Sequence, residues 1–403
     1  MVIFKFPLRS PRAVSCLVVA LLAGLLWPTS VKGQQVALEK KYGEAVKAFQ
    51  SKKLDLAERD FRSITQVAPQ APEPYFFLGK IYLYRGQVAK AQSMLLQAIK
   101  LKPDFADALQ SLGVVYLREK NYTVAESILN RAARLDPQNA FARLDLGTAY
   151  MEQGNFPDAI RQFQSALRLA HDDRGITSAV NYNLGQLFEA LSHELARQKA
   201  YAKAVKDFEK YAAMFPQNAF AHHSLGVAYY NATRFKQALF EFKTAVTLDP
   251  HEPRFYYAAA EASTLLRRWD EARQYLLGLL NLNPKSFQAN YLMGSILIDS
   301  LHYSQAIPYL REATAIDPRK SEAYFKLGQA YLSRKDANAA MAPLKKAIAL
   351  DPSDSRAHWL LGRVYMDLNQ PGLASKEFQI FRSLQNKQIK SASKSGVQAA
   401  MAR

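Results

Sequence analysis

The side chains best suited to chemistry are a few histidines and acidic residues in the middle of the chain. His193 and Glu194 begin the zinc-protease pattern H-E-x-x-H, but Arg197 occupies the place of the second histidine. Without that second imidazole one helical turn away, the segment offers no pair of metal ligands on one helix face. His222 and His223 are adjacent, so they point in different directions on a helix. We therefore expect no catalytic, cofactor-binding or metal site, and a protein that is not an enzyme.

The segments that must position any binding residue repeat every 34 residues. Glycine, alanine and proline each recur at this period through most of the chain. The recurring glycines are Gly79, Gly113, Gly147, Gly226, Gly294, Gly328 and Gly362. A fixed period of this length predicts a stack of similar units, each of which buries its apolar face only against its neighbours.

Residues 106–139 show what one unit contains. Apolar residues at helical spacing form one face up to Tyr116, a polar break follows, and a second apolar face continues to Ala132. Pro137 then ends the second helix, because proline lacks an amide hydrogen and pushes the residue before it out of helical geometry. Gly113 has no side chain, so the two helices of a hairpin can approach closely at this point.

These units resemble tetratricopeptide repeats, in which a large residue, glycine, tyrosine, alanine and proline recur at fixed offsets. The second unit carries the pattern at Tyr75, Leu78, Gly79, Tyr82, Ala91, Leu95, Ala98 and Pro103. We count about ten such units in residues 34–388. The resemblance implies an all-α fold, a right-handed superhelical α-solenoid of stacked antiparallel helix hairpins, and a role in binding proteins or peptides rather than in catalysis.

The period is interrupted between the fourth and fifth units. The interval from Gly147 to Gly185 is four residues too long, and that from Gly185 to Ala204 is seven too long. We expect this insertion, near residues 170–204, to form a joint or a protruding edge, with one additional turn in each helix of the fifth hairpin. The seventh unit has Ala260 in place of the repeat glycine and is expected to be the weakest interior unit.

Residues 1–33 differ from the repeats. Lys5, Arg9 and Arg12 precede an uncharged apolar run at 13–27, and small residues suited to cleavage follow it. This layout predicts a signal peptide, or an N-terminal anchor if the segment is retained, since the run is short for a transmembrane helix. We therefore expect an exported protein that is periplasmic, secreted, or membrane-anchored and facing outside the cytoplasm.

The other end of the chain, residues 389–403, is a basic tail whose composition predicts disorder. The formal net charge is +18, and part of it comes from the leader and this tail. The repeats carry the remaining positive charge without a continuous basic stripe. This distribution disfavours nucleic acid as the partner.

The resemblance also implies where a partner binds. In tetratricopeptide arrays the first helices line the concave face, and the residue after the large opening position points into it. The predicted partner-binding groove consists of Phe76, Tyr182, His223, Tyr257, Tyr291, Phe325 and Trp359, with Leu292 and Leu360 at the next position. Aromatic rings provide large contact areas at low entropic cost. The alternative is that these rings pack between neighbouring first helices; Trp359 and Tyr291 are expected to be the most exposed.

These features predict a non-catalytic interaction scaffold that is exported, needs no cofactor, and binds a peptide or protein segment in the groove. The alternative function is an electrostatic binder of an anionic polymer or membrane surface, through the basic tail and scattered lysines. An uncleaved N-terminal segment would add membrane association. The sequence leaves the identity of the partner and the oligomeric state open.

Overall fold

The computed structural model describes residues 29–171 and 173–401, with side chains described from residue 36 to residue 387. These residues form twenty α-helices and no β-strand. The helices are α1 Thr29–Gln50, α2 Leu54–Val67, α3 Pro72–Tyr84, α4 Val88–Leu101, α5 Ala106–Arg118, α6 Tyr122–Leu135, α7 Ala140–Glu152, α8 Phe156–Ala170, α9 Arg174–Arg197, α10 Tyr201–Met214, α11 Ala219–Asn231, α12 Phe235–Leu248, α13 Pro253–Leu265, α14 Trp269–Leu282, α15 Phe287–Asp299, α16 Tyr303–Ile316, α17 Ser321–Ser333, α18 Ala337–Leu350, α19 Ser355–Asp367 and α20 Pro371–Met401.

The chain divides into two compact units, the first ending at His193 and the second beginning at Glu194, so the boundary falls inside α9. In the first unit α1 packs on α2, α3 on α4, α5 on α6 and α7 on α8, and each of α2, α4 and α6 also packs on the helix that follows it. The second unit repeats this arrangement from α10 to α20. The predicted all-helical repeat array is confirmed, while its superhelical path stays a prediction.

The repeat glycines set the spacing within each hairpin, as the sequence predicts. A Cβ atom placed on Gly79 in α3 would lie 2.6 Å from Cγ of Leu95 in α4, which is fully buried. The same contact, between a glycine and the leucine or phenylalanine sixteen residues later, recurs at the other repeat glycines. In the seventh hairpin, where Ala260 replaces this glycine, a glycine appears on the second helix instead. There a Cβ on Gly278 would lie 2.5 Å from Cε1 of Tyr256.

The two helices of each hairpin are joined by a three-residue turn of the same conformation. There are ten such turns, from the one between α1 and α2 to the one between α19 and α20. In each of them the middle residue has a left-handed backbone, with φ between 53° and 75°. The next residue donates its amide to a carbonyl five positions back, for example Gln87 to Tyr82 at 2.8 Å and His302 to Leu297 at 2.7 Å. This bond satisfies a carbonyl that the end of the first helix would otherwise leave unpaired.

The insertion lies in one helix, so the prediction of one additional turn in each helix of the fifth hairpin is wrong. First helix α9 has 24 residues, whereas α3, α5, α7, α11, α13, α15, α17 and α19 have 13 each. Second helix α10 keeps the usual 14 residues. The standard left-handed turn at Lys199 closes α9, so all the additional residues are taken up before it.

Both ends of the chain bear on the sequence predictions. The predicted signal peptide lies outside the described residues as far as residue 28, and α1 begins at Thr29 within its last part. Helix α20 is continuous to Met401, so it runs through the segment for which composition predicts a disordered tail. That segment contains four alanines, and alanine has the highest helix propensity, which allows a helix to continue once its first half is packed.

Candidate partner-binding groove

Three of the predicted groove residues are buried, which corrects the prediction at these positions. Phe76, Phe325 and Leu360 expose only 8%, 8% and 7% of their surface. The ring of Phe76 lies 5.0 Å from that of Phe105, and the guanidinium of Arg356 lies 4.8 Å above the ring of Phe325. These side chains fill space between neighbouring helices, as the alternative interpretation expected, and leave little surface for a partner.

Tyr182 is the one remaining predicted groove residue in the first unit. It lies on α9, exposes 46% of its surface, and accepts a hydrogen bond of 3.0 Å from Nε2 of Gln186 one turn later. The nearby Asn183 donates its amide to Oγ1 of Thr148 at 3.1 Å, which joins α9 to α7. Tyr182 is thus an exposed ring on an anchored helix.

The other predicted positions lie in the second unit, on first helices that contact one another in sequence: α11 with α13, α13 with α15, α15 with α17, and α17 with α19. We call the surface formed by these five helices the first-helix groove. Trp359 on α19 exposes 39% of its surface, with the guanidinium of Arg363 5.4 Å above its ring. Tyr291 on α15 is half-buried and stacks on Phe287 at 5.8 Å with an interplanar angle of 7°. Leu292 is also half-buried.

His223 and Tyr257 are brought together in a cleft of about 550 Å³ between α11 and α13. The imidazole of His223 lies 5.1 Å from the ring of Phe255 and 5.6 Å from that of Phe242. Burial, with a smaller contribution from the positive charge of Arg254, lowers the pKa of His223 to about 4. The imidazole is therefore neutral near neutral pH and offers the cleft a hydrogen-bonding edge rather than a charge.

Glu261, Tyr257 and Tyr230 also line the cleft. Glu261 lies one turn after Tyr257 on α13. Burial is the main cause that raises the pKa of Tyr257, and the charge of Glu261 raises it further. Burial likewise raises the pKa of Tyr230, which lines the cleft from α11, and that of Glu261. The cleft thus joins apolar rings to a partly desolvated carboxylate.

Glu261, Arg254 and Tyr230 line the cleft but are not among the predicted groove residues. The sequence contains a signal for all three. Arg254 and Glu261 lie three residues before and four after Tyr257 and therefore share its helix face, and Tyr230 follows His223 by seven residues on α11. Arg254 pairs with Glu252, whose Oε1 lies 3.0 Å from Nε.

His222 and His358 each form hydrogen bonds that link neighbouring helices. Nδ1 of His222 lies 2.7 Å from Oε2 of Glu241, and Nε2 lies 3.2 Å from the carbonyl oxygen of Pro216. His358 makes the corresponding contacts with Glu377 and Pro352, at 2.7 and 3.3 Å. These links tie a first helix both to its own second helix and to the proline that closes the preceding hairpin.

In the described part of the chain, no group of three or more histidine, cysteine, aspartate or glutamate side chains is arranged to hold a metal ion. None of the helices between residues 29 and 401 combines the length and the apolar composition needed to cross a membrane.

Comparison with known proteins identifies the repeat. Two family models, each described as a tetratricopeptide repeat, match residues 76–140 and 291–355 and residues 116–179 and 232–296, which together exceed half of the chain. No curated protein sequence matches the chain.

Among solved structures, a fragment of MamA from Desulfovibrio magneticus RS-1 is 24% identical, with a TM-score of 0.41 over 42% of this chain and 96% of that one. YrrB, described as a tetratricopeptide repeat protein with an unusual peptide-binding site, is 18% identical, with a TM-score of 0.41 over 48% of this chain and 100% of that one. From the matching family models, the chain belongs to the tetratricopeptide repeat family.

Proposed function

We propose that this protein is an exported, non-catalytic scaffold that binds a peptide or protein segment along the first-helix groove of its second unit. The observation that carries the proposal is the cleft between α11 and α13, in which His223 and Tyr257 meet. A cleft of about 550 Å³ is large enough to admit one or two side chains of a bound segment. Membership of the tetratricopeptide repeat family supports an interaction role, since these repeats generally serve as binding scaffolds.

The chemistry of the groove suits a peptide better than a small apolar molecule. Aromatic rings are present at Tyr257, Tyr291 and Trp359, on three of the five first helices. Side-chain amides at Asn231 and Asn283 also line the cleft and provide donors and acceptors for a peptide backbone. Peptide-binding surfaces typically combine aromatic rings, which supply contact area, with polar groups that form hydrogen bonds to the peptide backbone.

Export rests on the leader at residues 1–33 and is tested separately from binding. The natural protein is expected to lack this segment, so its intact mass should correspond to a chain that begins near residue 34. A natural protein that still begins at Met1 would contradict cleavage. Fractionation of the host would then place it either in the membrane, as an anchored scaffold, or inside the cell, which would contradict export.

The binding proposal is tested by selecting peptides from a displayed random library on the full chain. The selected peptides are then measured against a groove variant, Tyr257→Ala with Tyr291→Ala and Trp359→Ala. Phe240→Ala is the matched control, because Phe240 is an exposed aromatic residue on second helix α12 and lies outside the groove.

We expect the groove variant to lose binding by tenfold or more, since aromatic hot spots commonly contribute about 2 kcal/mol or more each. The control is expected to bind like the unaltered protein. Equal binding to both variants would contradict the proposal. Binding that disappears at high salt and on removal of residues 389–403 would favour the electrostatic alternative instead.

A further inference from the structure

We propose that the cleft between α11 and α13 binds a basic side chain, a lysine or an arginine of the partner, at the carboxylate of Glu261. The inference rests on the proposed peptide-binding function and specifies the chemistry that the bound segment must supply at one position. It follows from the position of Glu261 in the cleft, from the absence of a described cation beside it, and from comparison with two paired glutamates of the same unit.

The carboxylate of Glu261 lies in the cleft and retains free acceptor capacity. The hydroxyl of Tyr257, one turn before Glu261 on α13, is the neighbouring polar group. A carboxylate has two oxygens with about four lone-pair sites, so most of its acceptor positions stay open to a ligand. The rings of Tyr257 and Tyr230 line the same cleft.

No cation of the described chain pairs with this carboxylate. Two other partly buried glutamates of the second unit do have one: Lys243 and Arg268 pair with Glu271, and His222 contacts Glu241. The two carboxyl groups therefore differ in pKa: the neighbouring cations lower the pKa of Glu271, whereas burial raises the pKa of Glu261. Arg254, at the edge of the cleft, pairs with Glu252. A partly desolvated carboxylate without a cation is costly to the free protein, and a cationic ligand removes that cost.

The surroundings also favour a cation over a neutral polar group. Electron-rich tyrosine rings attract an ammonium or guanidinium group that lies over their faces. Charge-assisted hydrogen bonds to a carboxylate are about twice as strong as neutral ones. An acidic side chain, in contrast, would meet the charge of Glu261 in a partly buried site. The cleft therefore selects a basic residue and disfavours an acidic one.

The test compares arginine with its uncharged isostere. N-acetyl-L-arginine methylamide and N-acetyl-L-citrulline methylamide are titrated into the full chain, and binding is followed by saturation-transfer NMR, which detects weak ligands. The variant is Glu261→Gln, which keeps the shape of the side chain and removes its charge. Glu312→Gln is the matched control, because Glu312 is exposed on second helix α16.

We expect the unaltered protein and the control to bind the arginine probe about tenfold more tightly than the citrulline probe, as one charge-assisted hydrogen bond provides. Glu261→Gln should bind the two probes equally. Equal affinities on the unaltered protein, or a preference for arginine that survives Glu261→Gln, would overturn the inference. Circular dichroism of each variant confirms that the fold is kept.

Selected peptides separate this inference from the proposed function. Each basic residue of a groove-binding peptide is replaced by an uncharged isostere, citrulline for arginine or norleucine for lysine. If one replacement weakens binding to the unaltered protein and not to Glu261→Gln, that residue occupies the cleft. If groove-binding peptides show no such coupling, the inference fails and the peptide-binding function stands. If no peptide binds the groove, the function fails, and the arginine titration still decides whether the cation site exists.

Discussion

Replacement of Gly79 by alanine tests the close helix approach in the hairpins that carry a repeat glycine. The new methyl group would lie 2.6 Å and 2.8 Å from two carbons of Leu95, which is fully buried. Overpacking of this kind costs about 1–3 kcal/mol. The gain from replacing a helical glycine by alanine offsets about 0.5–1 kcal/mol of that cost. Ala260 holds the equivalent place in the seventh hairpin, so a hairpin can be built around a methyl group. We therefore expect a net loss of about 1–2 kcal/mol.

The matched control is Gly43→Ala in the same unit, because a Cβ atom at Gly43 meets nothing within 4 Å. This substitution should stabilise the chain by about 0.5–1 kcal/mol, so the two substitutions should act in opposite directions. Both are measured by urea denaturation followed by far-UV circular dichroism. A double variant that adds Leu95→Ala should lose less than the sum of its parts, because the methyl group then enters vacated space. Equal effects of Gly79→Ala and Gly43→Ala would refute the reasoning.

Three further predictions concern stability, each read from denaturation curves. The hydrogen bond that His222 donates to Glu241 raises the pKa of the imidazole, so the pair stabilises the fold fully below about pH 6.5 and loses that effect as the pH rises through the raised pKa. The free energy of unfolding lost in His222→Gln should therefore be larger at about pH 6 than at about pH 9, and an equal loss would contradict the pairing. Leu301 is exposed and has a left-handed backbone with φ of 65°. Because glycine adopts this backbone without strain, Leu301→Gly should stabilise the chain by about 1 kcal/mol. A lower free energy of unfolding in this variant would contradict the prediction. Burial raises the pKa of Asp145 to about 7, so ionisation of this carboxyl destabilises the fold as the pH rises from about 4 to 7. Asp145→Asn should therefore gain more stability at about pH 8 than at about pH 5. The reverse order would contradict the raised pKa of Asp145.

Most of the fold could be predicted from the sequence, because one 34-residue period fixes many positions at once. The repeat glycines predict the close contact seen between Gly79 and Leu95, and the closing prolines predict where second helices end. The additional residues lie in α9 alone, and this placement could not be read from the spacing. An interval of seven residues fits either two turns in one helix or one turn in each of two.

The groove residues were harder to predict, because exposure depends on the neighbouring helices. Phe325 and Trp359 occupy equivalent positions of successive first helices, yet one is buried and the other exposed. Arg356 covers the ring of Phe325 from the next hairpin. Glu261 resembles any surface glutamate in the sequence, and only the packing of α11 on α13 reveals that it is partly buried and unpaired with a cation.

The most direct test of the central claim is to map where a bound peptide lies. A selected peptide carrying a photoreactive benzoylphenylalanine is crosslinked to the full chain, and mass spectrometry identifies the attached residues. We expect crosslinks to first helices α11, α13 and α15, around Tyr257. These crosslinks should disappear when unlabelled peptide competes for the site. Crosslinks confined to the second helices, or to the basic segment 389–403, would contradict binding in the first-helix groove.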